Sequence, residues 1–125
     1  MRSLRASELG GAEIYELLVG AIQPRPIAFV STVSASGVPN LAPFSFFMPG
    51  GTSPPSLALS VTHGVYGEKD TLRNIRETKQ FVVNLVNRAM AEGMNATSKT
   101  LPESVSEWTL GGFTAVESML VKPMR

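Results

Sequence analysis

Apolar residues near the start of the chain fall at helical spacing. Ile14, Leu17, Leu18 and Ala21 share one face while Tyr15 and Glu16 lie off it, which predicts a short amphipathic helix over residues 13–22 that packs on the next elements of the chain. Pro24 and Pro26 stop that helix, and the period changes from helical to alternating. Residues 27–33 form a β-rich run, Ser34 to Gly37 supplies turn residues, and NLAPFSFF at 40–47 is the return strand of a hairpin. MPGGTSPP at 48–55 is a loop by composition. SLALSVT at 56–62 is a third strand, with Leu57, Leu59 and Val61 alternating against Ser56, Ala58 and Ser60, and its small second face predicts a covering layer there too.

From Asp70 the pattern is helical again, with Asp70 or Thr71 as N-cap, Leu72 and Ile75 on one face, and Arg73 and Glu77 paired four residues apart outside. QFVVNLV at 80–86 is a fourth strand. A helix-prone stretch at 87–98 comes next, then a loop-like one at 99–112 broken by Pro102 and the Gly111-Gly112 pair; residues 113–125 offer at best one or two short strands. The sum is a mostly antiparallel sheet with short connecting helices, hence α+β or mainly β in a partly open barrel. A doubly wound fold fits less well, because no glycine-rich strand-to-helix fingerprint is present.

Length narrows this to one domain over residues 1–125. With 11 basic against 10 acidic side chains and a net charge of +1, spread without a basic run, nucleic-acid and membrane partners are not expected. The absence of cysteine excludes thiol nucleophiles, thiolate metal sites and disulfides. Glu8, Glu13 and Glu16 interrupt what would otherwise be a signal-peptide core, and nothing is long enough to span a bilayer, so a soluble cytoplasmic protein is expected.

His63 is the single histidine, so no usual zinc site and no cysteine–histidine dyad is available, and no serine sits in a nucleophile elbow; beside Gly64, His63 suits a solvated turn. Asp70, close to Glu68, is better explained as a helix cap than as half of an acid–base pair. No side chain stands out as catalytic, and an enzyme built this way would carry its reactive group as a bound cofactor.

Two places suit one. In NLAPFSFF, Asn40, Ala42, Phe44 and Phe46 face one side and Leu41, Pro43, Ser45 and Phe47 the other, with Ala42 and Ser45 small and Pro43 unable to donate a backbone hydrogen bond. That surface is either an ordinary buried strand with a bulge at Pro43 or a bed for a flat ligand. Lys69 and Thr71 at a helix start combine a cation, a hydroxyl and unpaired N–H groups, which suits a phosphate as well as it suits a plain capped helix. Ser31, Thr32, Ser34 and Ser36 add hydroxyls, although serines in hairpin turns are ordinarily turn formers.

Taken in order, RPIAFVSTVSASGVPNLAPFSFF, SPPSLALSV, KDTLRNI and FVVNLV resemble the flavin reductase-like FMN-binding split-barrel family, in the branch that includes flavoredoxins. The likeness runs from about Gln23 to Asn95, with NATS and the closing VKP-R also in family style. The resemblance implies a split β-barrel binding FMN non-covalently, as a homodimer with each flavin near the subunit interface. Its implied activity is an FMN-dependent oxidoreductase that passes electrons from NAD(P)H through FMN to an acceptor. Carried over by position, flavin ring and ribityl contacts fall on Asn40, Leu41, Ala42, Pro43 and Ser45, with Ser31 and Thr32 on the preceding strand; the phosphate end falls near Ser60, Lys69, Asp70 and Thr71. No catalytic side chain and no metal is implied. Met48-Pro49-Gly50-Gly51 departs from the family pattern, and relatives continue beyond VKP-R with further barrel strands. The expected domain is therefore partial, with its C-terminal strands missing or supplied by a partner. The alternatives are a flavin carrier or electron-transfer module without NAD(P)H activity of its own, or an inactive fragment.

Overall fold

The structure, a computed structural model, describes residues 3–62, 67–99, 101–102 and 105–125; His63 and Gly64 lie outside them. Helix α1 spans Gly11–Ala21 after a 3-10 turn at Ala6–Glu8, and Glu13 Oε2 accepts the Gly10 N–H at 2.8 Å. Ahead of Pro24 the helix end is closed by side chains, since Gln23 Nε2 and Arg25 Nη1 both donate to the Val19 carbonyl, at 3.0 and 2.6 Å. The expected packing of its apolar face is not found. Leu17 and Leu18 remain 45% and 43% exposed, and Ile14 is only half-buried.

Strands β1 (Ala28–Val33) and β2 (Pro39–Phe44) form the expected antiparallel hairpin, with Val30 opposite Ala42 and Thr32 opposite Asn40. Gly37 takes φ +90°, which a side chain would strain, while the Ser34 N–H donates to the Val38 carbonyl at 2.9 Å. The turn serines serve the turn itself: Ser34 Oγ meets Ser36 Oγ at 2.8 Å and accepts the Val38 N–H at 3.0 Å.

The expected strand at 40–47 is divided, β2 ending at Phe44, and residues 48–52, expected as loop, continue from Phe47 as strand β3 (Phe47–Thr52), paired antiparallel with β4 (Pro55–Leu59). Glycine and proline lower strand propensity but do not forbid a two-stranded ribbon with a register shift between Pro49 and Gly51. A Cβ on Gly50 would come within 3.0 Å of Ser56 Oγ, so the glycine permits the close pairing there. The outer face of β4 is exposed rather than covered as expected.

Helix α2 (Asp70–Thr78) leads to strand β5 (Val82–Asn84), which pairs antiparallel with β1 on the side away from β2. The sheet order is therefore β2-β1-β5, with β1 central and β2 an edge strand. Two details of α2 correct the sequence expectation. Its N-cap is Lys69, without a side-chain cap, and its buried residues are polar Thr71 and Asn74, with Leu72 and Ile75 half-buried beside them. A 3-10 turn at Arg88–Met90 and helix α3 (Ala91–Ala96) fulfil the helix-prone stretch.

Helix α4 (Glu107–Gly111) replaces part of an expected loop. Ser106 accepts the Thr109 N–H, Gly112 closes the end at φ +70°, and Trp108 anchors the short turn in the core, so burial stabilises a helix too short to stand alone. The last residues form no strand; two backbone hydrogen bonds join Val116 and Arg125 in a closed loop.

Two cores flank β1. On one face Ala28, Val30 and Phe44 pack with Phe47, Leu59 and Val61, so the β3–β4 ribbon folds over the sheet. On the other, Phe29, Leu41 and Trp108 pack with Met94, Phe113 and Met124, so α3, α4 and the C-terminal loop cover it.

Candidate functional site

Strand β2 carries most of the residues in question, and alternation divides them between the two faces as expected. Asn40, Ala42 and Phe44 share the face of Thr32, whereas Ser31 and Leu41 share the other. Ser31 and Thr32 therefore cannot turn their side chains to one ligand. The Ser31 hydroxyl donates instead to the Met124 carbonyl, seating the C-terminal loop.

At the polar end of the first face four buried side chains close a network. Asn40 Nδ2 donates to Thr71 Oγ1 at 2.9 Å and to Thr32 Oγ1 at 3.3 Å, and Asn74 Nδ2 donates to Thr32 Oγ1 at 3.1 Å. The four are at most 8% exposed, so α2 is docked on the hairpin by hydrogen bonds rather than by an apolar stripe. Asn74 Oδ1 is buried without a partner.

Lys69 stands just before α2, exposed, with Nζ 5.4 Å from the centre of the Phe44 ring. Its neighbour Asp70 would oppose an anion, but Arg73 Nη2 lies 2.6 Å from Asp70 Oδ1 and offsets that charge. Along β2 near Lys69 the strip Ala42, Pro43, Ser45 is half-buried, with Ala42 on the face of Phe44 and Pro43 on the opposite face. Ser60 is exposed at the end of β4, its N–H held by the Phe46 carbonyl at 2.9 Å.

The proline question resolves at the strand edge. The Ser34 N–H donates to the Val38 carbonyl, so along the register 32/40, 30/42 and 28/44 are the hydrogen-bonded pairs, and the Leu41 N–H points away from β1. Alternate N–H groups of a strand share an edge, so position 43 falls on the same free edge, where a missing donor costs nothing. No bulge interrupts the β1–β2 pairing at Pro43. Burial pushes the Glu107 carboxyl above the ordinary carboxylate range, nearby Asp70 adds to the rise, and the N–H groups of Glu107 and Leu41 oppose it. Between α2, α4 and the hairpin turn, a shallow cleft of about 10 Å³ is lined by Asn40, Asp70, Arg73, Asn74 and Glu107 among others, space on the order of one water molecule.

The structure thus brings Thr32, Asn40 and Thr71 together, places Lys69 and Asp70 at the same helix start, and leaves Ala42, Pro43 and Ser45 half-buried and Ser60 exposed. Leu41 is closed into the Trp108 core and Ser31 lies behind the sheet. Two contributors are absent from the sequence expectation. Asn74 stands three residues after Thr71 and so shares its helix face, a signal that is readable; Glu107 sits in a stretch of loop-like composition. Among the described residues no group of metal-ligating side chains gathers, and no helix is long and apolar enough to cross a membrane.

The sequence profile of the flavin reductase like domain matches residues 21–124. The chain belongs to the flavin reductase-like domain family. An uncharacterized protein of Aquifex aeolicus is 41% identical over 119 residues, covering 94% of this chain and 61% of that protein. The nitrilotriacetate monooxygenase component B of Bacillus cereus has a similar structure, with a TM-score of 0.90 and 37% identity over 98% of this chain and 61% of that one. A split-barrel protein of Shewanella frigidimarina, at a TM-score of 0.78 and 17% identity over 100% of this chain and 63% of that one, shares the fold alone. This flavin reductase-like chain therefore has the split-barrel fold, and it spans about three fifths of the length of the relatives it matches.

Proposed function

We propose that this chain is the flavin-binding part of an FMN-dependent oxidoreductase that takes electrons from NAD(P)H and passes them to a further acceptor. The observation that carries the proposal is the family match over residues 21–124 combined with exposed Lys69, poised over Phe44 where the half-buried Ala42–Pro43–Ser45 strip meets the start of α2. The residues fit the group in two parts. Along β2, Ala42 is small and Pro43 leaves the outer strand edge without a donor, so few side-chain atoms would have to be displaced there, and Lys69, with the charge of Asp70 offset by Arg73, offers a cation for a phosphate.

Bound FMN would supply the hydride and electron chemistry that these side chains lack. The chain's own residues would hold and orient. Lys69, with Ser60 across the ribbon, would take the anionic end; the β2 strip would exclude water from one side of the ring. Thr32, Asn40 and Thr71 are turned into one another and would act from behind, holding the strand and the helix start in register.

A homodimer is part of this reading, and exposed apolar side chains such as Leu17, Leu18, Met48, Leu57 and Leu120 are available for a second copy to cover. A cytoplasmic location accords with this reading. Mixing purified protein with FMN and NAD(P)H tests it: retained flavin with nicotinamide oxidation is expected, and a protein that retains no flavin and oxidises no nicotinamide would refute it. Flavin that dithionite reduces and NAD(P)H does not would favour the carrier reading instead.

A further inference from the structure

We infer that Asn74 is a positioning residue that sets the preference of the site for phosphorylated over unphosphorylated flavin. The inference rests on the FMN reading above and extends it to a residue outside the expected contact set. Helix α2 buries only Thr71 and Asn74, so its docking depends on what those two side chains do. Thr71 receives its hydrogen bond from Asn40 of β2, and Asn74 gives one to Thr32 of β1, so one helix is pinned to both strands of the hairpin through adjacent turns. The backbone carbonyl of Asn74 accepts from Thr78 Oγ1 at 2.8 Å, a contact that does not depend on its side chain.

The consequence is directional. Lys69 lies immediately before the pinned turn, has no side-chain cap holding it, and meets β2 through Phe44 alone among the described aromatic contacts. Where Lys69 and the first N–H groups of α2 stand relative to the β2 strip is therefore decided by the Thr71 and Asn74 pins. Ala42 and Pro43 of the strip are held by β1–β2 pairing, which does not involve Asn74. Loss of the Asn74 pin would displace the anion-binding end of the site and leave the ring-binding end in place.

Asn74 further differs from a merely packed residue in being half-satisfied. Its Nδ2 is engaged while Oδ1 is buried without a donor, beside a cleft that Asp70, Arg73 and Glu107 also line. Burying an amide oxygen unpaired is unfavourable, so stability alone is a poor reason for asparagine here.

Flavin fluorescence titration of the whole chain with FMN and with riboflavin tests this, using wild type, Asn74→Ala and Asn74→Ser. The expected result is an FMN dissociation constant raised about 10-fold in Asn74→Ala, a riboflavin constant changed less than about 2-fold, and partial recovery in Asn74→Ser, whose hydroxyl can donate towards Thr32. Equal weakening of both flavins, or no change in either, would overturn the positioning role while leaving the FMN reading intact. Wild type that binds neither flavin overturns both. Should Asn74→Ala fail to fold, Asn74→Ser decides by the same FMN-to-riboflavin ratio.

Discussion

Replacing Gly93 by alanine puts a methyl group where α3 and α4 touch. An alanine Cβ there would overlap the Gly111 carbonyl oxygen and stand 2.9 Å from Phe113 Cζ, both inside any real contact distance. The first obstacle is backbone, which cannot rotate aside. The second is a ring packed edge-on to Phe29 at 5.2 Å between centres, so moving it disturbs the central strand. Overpacking of this kind costs about 3 kcal/mol, at the upper end of its usual range. Alanine returns about 1 kcal/mol of helix propensity relative to glycine, leaving a net loss of about 2 kcal/mol. With a urea slope of about 2 kcal/mol per molar, the midpoint should fall by about 1 M. Trp108 is the single tryptophan and is buried on α4, so its fluorescence reports this region directly. A midpoint equal to or above wild type would show that α3 and α4 do not meet as described.

Burial and charge set the other expected outcomes. Leu41→Ala empties a site that is 1% exposed and should cost about 2–5 kcal/mol in the same urea titration, whereas a loss under about 1 kcal/mol would place Leu41 outside the Trp108 core. Because burial raises the Glu107 carboxyl, the folded state binds its proton more tightly than the unfolded chain does. The stability linked to that proton is full below the ordinary carboxylate pKa and lost as pH rises through the raised one. Glu107→Gln, which keeps the shape and removes the titration, should therefore gain melting temperature over wild type between about pH 4 and pH 7; a gap that is flat or shrinks contradicts the shift. Lys69→Ala should weaken FMN binding about 10- to 100-fold, as loss of a charge-assisted contact, while leaving folding stability within about 0.5 kcal/mol. Equal damage to both would make Lys69 structural.

The elements legible in the sequence are those whose local chemistry and tertiary setting agree. The β1–β2 hairpin announces itself through a polar turn with Gly37 between two apolar runs, and α2 through its helical period after residue 69. Where the two disagree the sequence misleads. Strand β3 contains Pro49, Gly50 and Gly51, poor strand formers, and owes its extended form to pairing with β4. Helix α4 has only five residues and depends on burying Trp108, which no local window shows. For α2 the apolar period points to Leu72 and Ile75, yet the residues most deeply buried are Thr71 and Asn74, because the surface they meet is polar. The same holds for the site: Lys69 and the small residues of β2 are readable by type and spacing. That the Thr32, Asn40 and Thr71 side chains satisfy one another depends on a contact between residues more than thirty positions apart in sequence.

On the proposed function, a phosphorylated flavin would lie along the Ala42–Pro43–Ser45 strip with its anionic end at Lys69. Recording backbone amide resonances of the protein during titration with FMN tests it most directly. Saturable shifts concentrated at Leu41, Ala42, Phe44 and Ser45 and at residues 69–71, with those of α3 nearly still, are the predicted result. Shifts confined to α3 and α4, or none that saturate, would contradict it.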